Sequence, residues 1–238
     1  MGGSLSSGTP LVVAIDGPSG SGKSSVSRAV ATALDAAYLD TGAMYRALTW
    51  WCLAEGVEVT DRETVARMAA HAPLRVGLDP HDPRIGVDGI DLTQEVRTAR
   101  VTESVSAIAT NLEVRADMRR RQRALIADGL AAKGAVVAEG RDITTVVAPD
   151  APVRILLTAS EDARLARRAQ QDLGSADAGA KAATRDRVVA RDAADSTVSQ
   201  FTTAADGVVT IDSSELDFGQ TVAAVLAVVA DACNRDRG

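Results

Sequence analysis

The stretch Gly17-Pro18-Ser19-Gly20-Ser21-Gly22-Lys23-Ser24 satisfies G-x-x-x-x-G-K-[ST], and its reading decides the fold. It stands between an apolar run, Leu11 to Ile15, and a segment in which Val26, Ala29, Val30, Ala33 and Leu34 recur at helical spacing. A strand that turns through glycines into a helix is the geometry of a phosphate-binding loop. Residues without Cβ let successive backbone N–H groups turn inward around an anion, and the helix that follows adds its positive end. Lys23 supplies a point charge and Ser24 a hydroxyl suited to Mg²⁺. Gly17 to Ser25 is therefore the expected ATP-binding segment, and the chain binds a nucleoside triphosphate.

Composition bounds what else the chain does. With 238 residues and 46% hydrophobic content it can bury a full core as one domain, filled by Ala, Val and Leu because aromatics make up only 3%. A net charge of −6 argues against extended contact with nucleic acid. The cluster Arg119, Arg120, Arg121 and Arg123 then reads as a solvated helix face. Cys52 and Cys233 lack metal or disulfide spacing, which suits a reducing cytoplasm. No apolar run is long enough for a membrane span. Met1 to Ser6 matches the loose myristoylation pattern and is read as a Gly/Ser-rich tail.

Strand and helix signals alternate: Leu11 to Ile15, Tyr38 to Leu39, Ala135 to Ala138, Val153 to Leu157 and Val208 to Ile211 read as strands, each leading toward a helical stretch. The pattern predicts an α/β fold with a parallel, helix-covered sheet. Leu74 to Leu92, split by Asp-Pro and Asp-Gly signals, predicts a small antiparallel hairpin insertion. Gln170 to Thr184 is poor in large apolar groups and fringed by Arg164, Arg167, Arg168, Arg185, Arg187 and Arg191, the composition of a phosphate-covering lid. His71 and His81 read as surface residues.

With these blocks assembled, the chain resembles the bacterial-type cytidylate kinases, a P-loop nucleoside monophosphate kinase family. The resemblance is carried by IDGPSGSGKSS at Ile15 to Ser25, LDTGAMYR at Leu39 to Arg46, VSAIATNLEVR ending at Arg115, EGRDI at Glu139 to Ile143, VVAPDAPVRILLTAS at Val146 to Ser160 and ARDAADST at Ala190 to Thr197. It implies a five-stranded parallel sheet with a small antiparallel insertion and a mobile lid. The divisions would be a tail over 1–10, core over 11–67, CMP-binding insertion over 68–108, core over 109–163, lid over 164–191 and core over 192–238. It implies transfer of the γ-phosphoryl group of ATP, with Mg²⁺, to CMP or dCMP by a cytoplasmic monomer. By position, Thr41, Ser106, Arg115 and Asp142 match the residues that recognise cytosine, and Tyr45 lines that pocket. Arg46 and Arg141 match the phosphate clamp, Arg191 and Asp195 lie near the sugar, and Arg167 belongs to the ATP side. Lys23, Arg46, Arg141 and Arg191 form the expected catalytic set.

Chemistry agrees with this reading. A phosphate oxygen is ionised near neutral pH, so transfer requires alignment and charge neutralisation rather than a strong base. Cytosine presents an amino donor beside ring acceptors, which a carboxylate such as Asp142 next to Arg115 complements, whereas uracil places an acceptor where the amine would be. For the acid that holds a Mg²⁺-bound water, Glu139 at the end of an apolar strand is preferred over Asp212, which precedes Ser213-Ser214 and looks like a turn aspartate. The chain departs from the family at Val198, where an arginine is usual, and at Ala148, where an aromatic is usual. These departures leave two alternatives: a P-loop kinase for another small acceptor such as UMP, and a nucleotide-binding protein with weak transfer activity.

Overall fold

A computed structural model describes residues 10–235; the myristoylation-like pattern and nearly all of the expected tail lie outside them. The chain runs β1 (Leu11–Asp16), α1 (Lys23–Ala33), β2 (Ala37–Asp40), α2 (Thr41–Ala54), α3 (Arg62–His71), β3 (Leu74–Val76), β4 (Ile85–Val87) and β5 (Ile90–Asp91). It continues through α4 (Ala99–Ala109), α5 (Leu112–Lys133), β6 (Ala135–Gly140), β7 (Val153–Thr158), α6 (Glu161–Leu173), α7 (Ala178–Ser196), β8 (Val209–Asp212) and α8 (Phe218–Arg235).

Five strands form a parallel sheet in the order β2-β6-β1-β7-β8. β1 and β6 are buried along their whole length, as expected for strands covered on both faces that read as unbroken apolar runs. Alternate residues feed two cores. Val12, Ala14, Leu39, Val136 and Ala138 pack with Met44 and Leu48 of α2, Val65 of α3, and Met118 and Ile126 of α5. Val13, Ile15, Tyr38, Val137 and Ile155 face Val26 and Val30 of α1 and Val225 and Val229 of α8. On α1 the buried stripe is Val26, Ser27, Val30 and Ala31, whereas Ala33 is exposed.

Two expectations change. The insertion has three antiparallel strands, β3-β4-β5, and not a single hairpin. Its β4–β5 turn places Asp88 and Gly89 at φ 50° and 80°, the backbone that a two-residue Asp-Gly hairpin needs. After β6 comes a π-helical turn, Ile143–Val147, in place of an α-helix. The Asp16 carboxylate accepts from the Ile143 and Thr144 amides at 2.9 and 2.8 Å and from the Thr144 hydroxyl at 2.6 Å, which holds that turn wound against β1. The Gln170 to Thr184 stretch is a helical hairpin: α6 ends at Gly174 with φ 70°, Asp177 caps α7, and the alanines beyond it are strong helix formers despite their small apolar surface.

The arginine cluster on α5 is also more than a solvated face. Arg121 donates to the carbonyls of Ala69, Ala70 and Ala72 at the end of α3, and Arg123 to those of Val146 and Val147. Both thereby satisfy chain ends that would otherwise lack donors. His71 and His81 are exposed, as expected.

The helix α5 lies tight on the sheet at Gly129, where a Cβ would stand 2.7 Å from Val136 Cγ2 and 3.0 Å from Ala37 Cβ. Gly129→Ala should therefore destabilise the protein by about 1–3 kcal/mol, although alanine is the better helix former by about 1 kcal/mol. Urea unfolding measures it; an unchanged or raised midpoint would show that α5 is free to move off the sheet.

Candidate active site

A cleft of about 980 Å³ opens at the carboxyl ends of β1, β2 and β6, the edge where parallel sheets place ligands. The phosphate loop forms one wall. Gly20 and Gly22 have φ 78° and 86°, and a Cβ on Gly20 would run into the Arg164 carbonyl, so the loop's path excludes side chains there. No side chain caps the start of α1, which leaves its first amides to point at the cleft. Ser19, Gly20, Gly22, Lys23, Ser24 and Ser25 line the opening, while Gly17, Pro18 and Ser21 lie behind it.

Beside the loop, Lys23 lies close to Glu139. Loss of hydration and then the nearby Arg141 push the Lys23 ammonium down to about 8, against the pull of Glu139. Glu139 is 1% exposed and accepts from the Tyr38 hydroxyl at 2.9 Å. Burial and the neighbouring Asp40 raise its carboxyl, while Lys23, Ser24 and Tyr38 oppose the rise. Asp40 caps α2 through the Ala43 amide at 2.8 Å and pairs with Arg46 at 3.0 Å. Burial works to raise Asp40, but Arg46, that amide and Lys23 together hold it below the usual carboxylate range.

Arg141 occupies the middle of the cleft. Its Nε lies 2.7 Å from Asp195 and its Nη1 3.1 Å from Asp192, both on α7. Asp192 also accepts from the Ser19 amide at 3.1 Å and from Arg164 at 2.5 Å, so one carboxylate joins the loop, α6 and Arg141. Burial, then repulsion from Arg141 and Arg46, lowers Arg191 to about 10. Lys23, Arg46, Arg141 and Arg191 therefore share one cavity with further arginines, interleaved with Asp40, Glu139, Asp142 and Asp195.

At the far end, Arg115 donates to Asp142 at 2.6 Å and to Ser199 at 2.8 Å, and burial raises Asp142 against the influence of Arg115 and Arg119. Thr41 donates to the Glu139 carbonyl at 2.7 Å, and Tyr45 lines the wall with a phenol that burial and Asp142 push upward. Two expected site residues stand outside this cavity. Ser106 donates to Asp195 at 3.3 Å and faces a smaller pocket of about 390 Å³ between α4 and α7. Arg167 is committed to Ser213 O at 2.5 Å, Ser213 Oγ at 2.9 Å and Ser21 O at 3.3 Å, bracing the loop from behind. Asp212 is exposed and accepts from the Ser214 amide at 2.9 Å, a turn carboxylate away from the cleft.

Asp16, Asp40 and Asp192 were missed as site residues. Asp40 carried a signal, an aspartate between strand and helix, and Asp16 a weaker one, a carboxylate closing an apolar strand. Asp192 carried none, because its three partners come together only in space.

A cavity that gathers backbone amides and guanidinium groups around a phosphate loop, on this strand order, defines the class of P-loop nucleoside monophosphate kinases. The family model for cytidylate kinase matches residues 13–231. The cytidylate kinase of Streptomyces griseus subsp. griseus is 47% identical over 220 residues, 92% of each chain. That of Nocardia farcinica is 46% identical over 228 residues, 95% of this chain and 96% of the relative, and that of Streptomyces avermitilis 45% over 222 residues, 93% of each. The chain belongs to the cytidylate kinase family.

Two titrations follow from the geometry. Burial raises Asp16 to about 6, above its value of about 4 in an unfolded chain. The folded state then binds more protons between those values, so stability falls as pH rises through that window, by up to about 3 kcal/mol. In Asp16→Asn this component should vanish, and urea unfolding at pH 4.5 and 7 compares the two proteins; equal losses in both would overturn the assignment. A Lys23 near 8 should gain protons when a triphosphate settles beside it, roughly half a proton per ATP at pH 8. Calorimetry in buffers of different ionisation enthalpy reads that uptake, which Lys23→Met should abolish.

Proposed function

We infer that the chain transfers the γ-phosphoryl group of ATP to CMP or dCMP, giving ADP and CDP or dCDP. The observation that carries the choice of acceptor is the Arg115–Asp142 pair at one end of a cleft whose other end is the phosphate loop. Asp142 offers oxygens to the exocyclic amine of cytosine and Arg115 offers N–H groups to its ring acceptors. Thr41 and Tyr45 border the base, and Arg46 with Arg141 grips the acceptor phosphate. The loop amides and Lys23 hold the ATP phosphates, and Arg141 and Arg191 lie between the two anions, where charge develops during transfer. The acceptor oxygen needs no base, so these residues act by aligning and neutralising.

Mg²⁺ fits the donors at hand. Among the described residues no group of three or more His, Cys, Asp or Glu would hold a metal by itself, whereas the Ser24 hydroxyl beside the buried Glu139 carboxylate suits a cation that arrives with phosphate and water as its other ligands. In that place the ion would neutralise the β- and γ-phosphate oxygens. We assign 68–108 to the acceptor side and 164–191 to a lid whose arginines cover the phosphates on closure. We place the activity in the cytoplasm, as a monomer; both thiols are free. No helix among the described residues is long and apolar enough to cross a membrane.

Steady-state assays with a panel of nucleoside monophosphates and Mg-ATP test this reading. CMP and dCMP should exceed UMP in kcat/KM by at least about a hundredfold, since a mispaired buried polar group costs several kcal/mol. Asp142→Asn should narrow that gap, because its amide also donates. Equal use of CMP and UMP by the unmodified protein would sink the cytosine assignment.

A further inference from the structure

We propose that Phe201 is a positioning residue for phosphoryl transfer, its ring holding the Arg141 guanidinium by the face while leaving the guanidinium edge to the phosphates. The Arg141 carbon Cζ stands 4.4 Å from the ring centroid, well within the range at which a cation is attracted to an aromatic face. Phe201 is fully buried, yet it belongs to neither apolar core of the sheet. The chain has only two phenylalanines, and the other, Phe218, is 57% exposed. The one buried phenyl ring is therefore spent on the central cation of the cleft.

The chemistry of the neighbours explains why a ring suits this place. Arg141 is held in its own plane by Asp192 and Asp195, the same N–H groups that phosphate oxygens need. Those carboxylates must give up at least part of their hold when a phosphate arrives, and repulsion from Lys23 and Arg191 would then push the long side chain aside. A ring contacting the face does not compete for the N–H groups, so it keeps the plane oriented throughout the exchange. A carboxylate cannot do this without occupying a donor. Phe201 also follows Val198 and Ser199; Ser199 donates no charge but accepts from Arg115. The segment thus orients both arginines of the acceptor side without contributing a cation of its own.

The inference deepens the kinase reading and rests on it. Because Phe201 and Phe218 are the only phenylalanines, growth on 3,4,5-trifluorophenylalanine in a Phe218→Leu background alters the ring at position 201 alone. Fluorine drains the ring face of negative charge and changes its size little. With whichever monophosphate the panel identifies as acceptor, kcat should fall at least threefold while KM for ATP and the thermal midpoint stay near those of the Phe218→Leu protein. Phe201→Leu should lower kcat by a similar or larger factor, and Phe201→Tyr, which keeps a ring, should restore most of it. In an Arg141→Gln background, fluorination should cost less than twofold, since the cation over the ring is gone. A fluorinated protein with unchanged kcat, or one that loses as much with Gln at 141 as with Arg, would overturn the proposal. Failure of CMP to act as acceptor would overturn the substrate reading and leave this measurement to be made on the acceptor found.

Discussion

The parallel pairing of β1 with β6 sets Ile15 against Glu139 and Asp16 against Gly140, and the rest of the site depends on that register. It carries the end of β6 to the root of the phosphate loop, so Glu139 faces Lys23 and Arg141 emerges in the centre of the cleft. It also brings Asp16 within reach of the Ile143 and Thr144 amides, which fixes the path of the chain through Asp142. A slip of one residue would turn every β6 side chain to the other face. Glu139 would then point into the apolar core that Ala138 faces in this register. The cost of that burial is far larger than any gain in strand pairing, and it protects the register as strongly as the apolar pattern does.

The same register concentrates positive charge in a chain whose net charge is −6. The site offsets this locally: Asp40 against Arg46, Asp142 against Arg115, and Asp192 with Asp195 against Arg141. Burial first, and then repulsion from Arg141, lowers both Lys23 and Arg191. A triphosphate and a monophosphate supply the charge that these groups lack. Phosphate binding therefore relieves a repulsion already built into the fold. Asp192 on the Ser19 amide holds one donor of the loop meanwhile, and ties α7 to the very segment a nucleotide would grip.

The phosphate loop and the strands of the parallel sheet were legible because each sits in a short local pattern with its own physical cause. The glycines, Lys23 and Ser24 are separated by fixed spacings, whereas Arg115 and Asp142 came from the family resemblance, with which the chemistry of cytosine agrees. What stayed hidden depends on pairings remote in sequence. Asp192 acts through partners 173 and 28 residues away, and nothing near it marks it as special. Ser106 and Arg167 show the reverse: residue type and family position pointed to the cleft, yet their side chains are engaged with Asp195 and Ser213 outside it. The helical form of the lid stretch was not legible from burial reasoning, since helix propensity in an alanine-rich segment does not require large apolar groups once α6 offers a surface to pack on.

Val198 bears on how such a site keeps its strength without the arginine usual at that position. Val198 lies two residues beyond α7 and beside Ser199, which accepts from Arg115. Alignment supplies a different route to the same end, because transfer through a loose transition state gains as much from fixed, correctly aimed donors as from an added charge. Arg141 is constrained from three sides, by Asp192, Asp195 and the Phe201 ring, and Arg115 from three by Asp142, Ser199 and the Ala109 carbonyl. A site with fewer cations but stiffer ones loses some ground-state attraction for phosphate and keeps the geometry that lowers the barrier. On this account the valine should weaken substrate binding more than turnover, which places its effect in KM and leaves the chemical step to the arginines that remain.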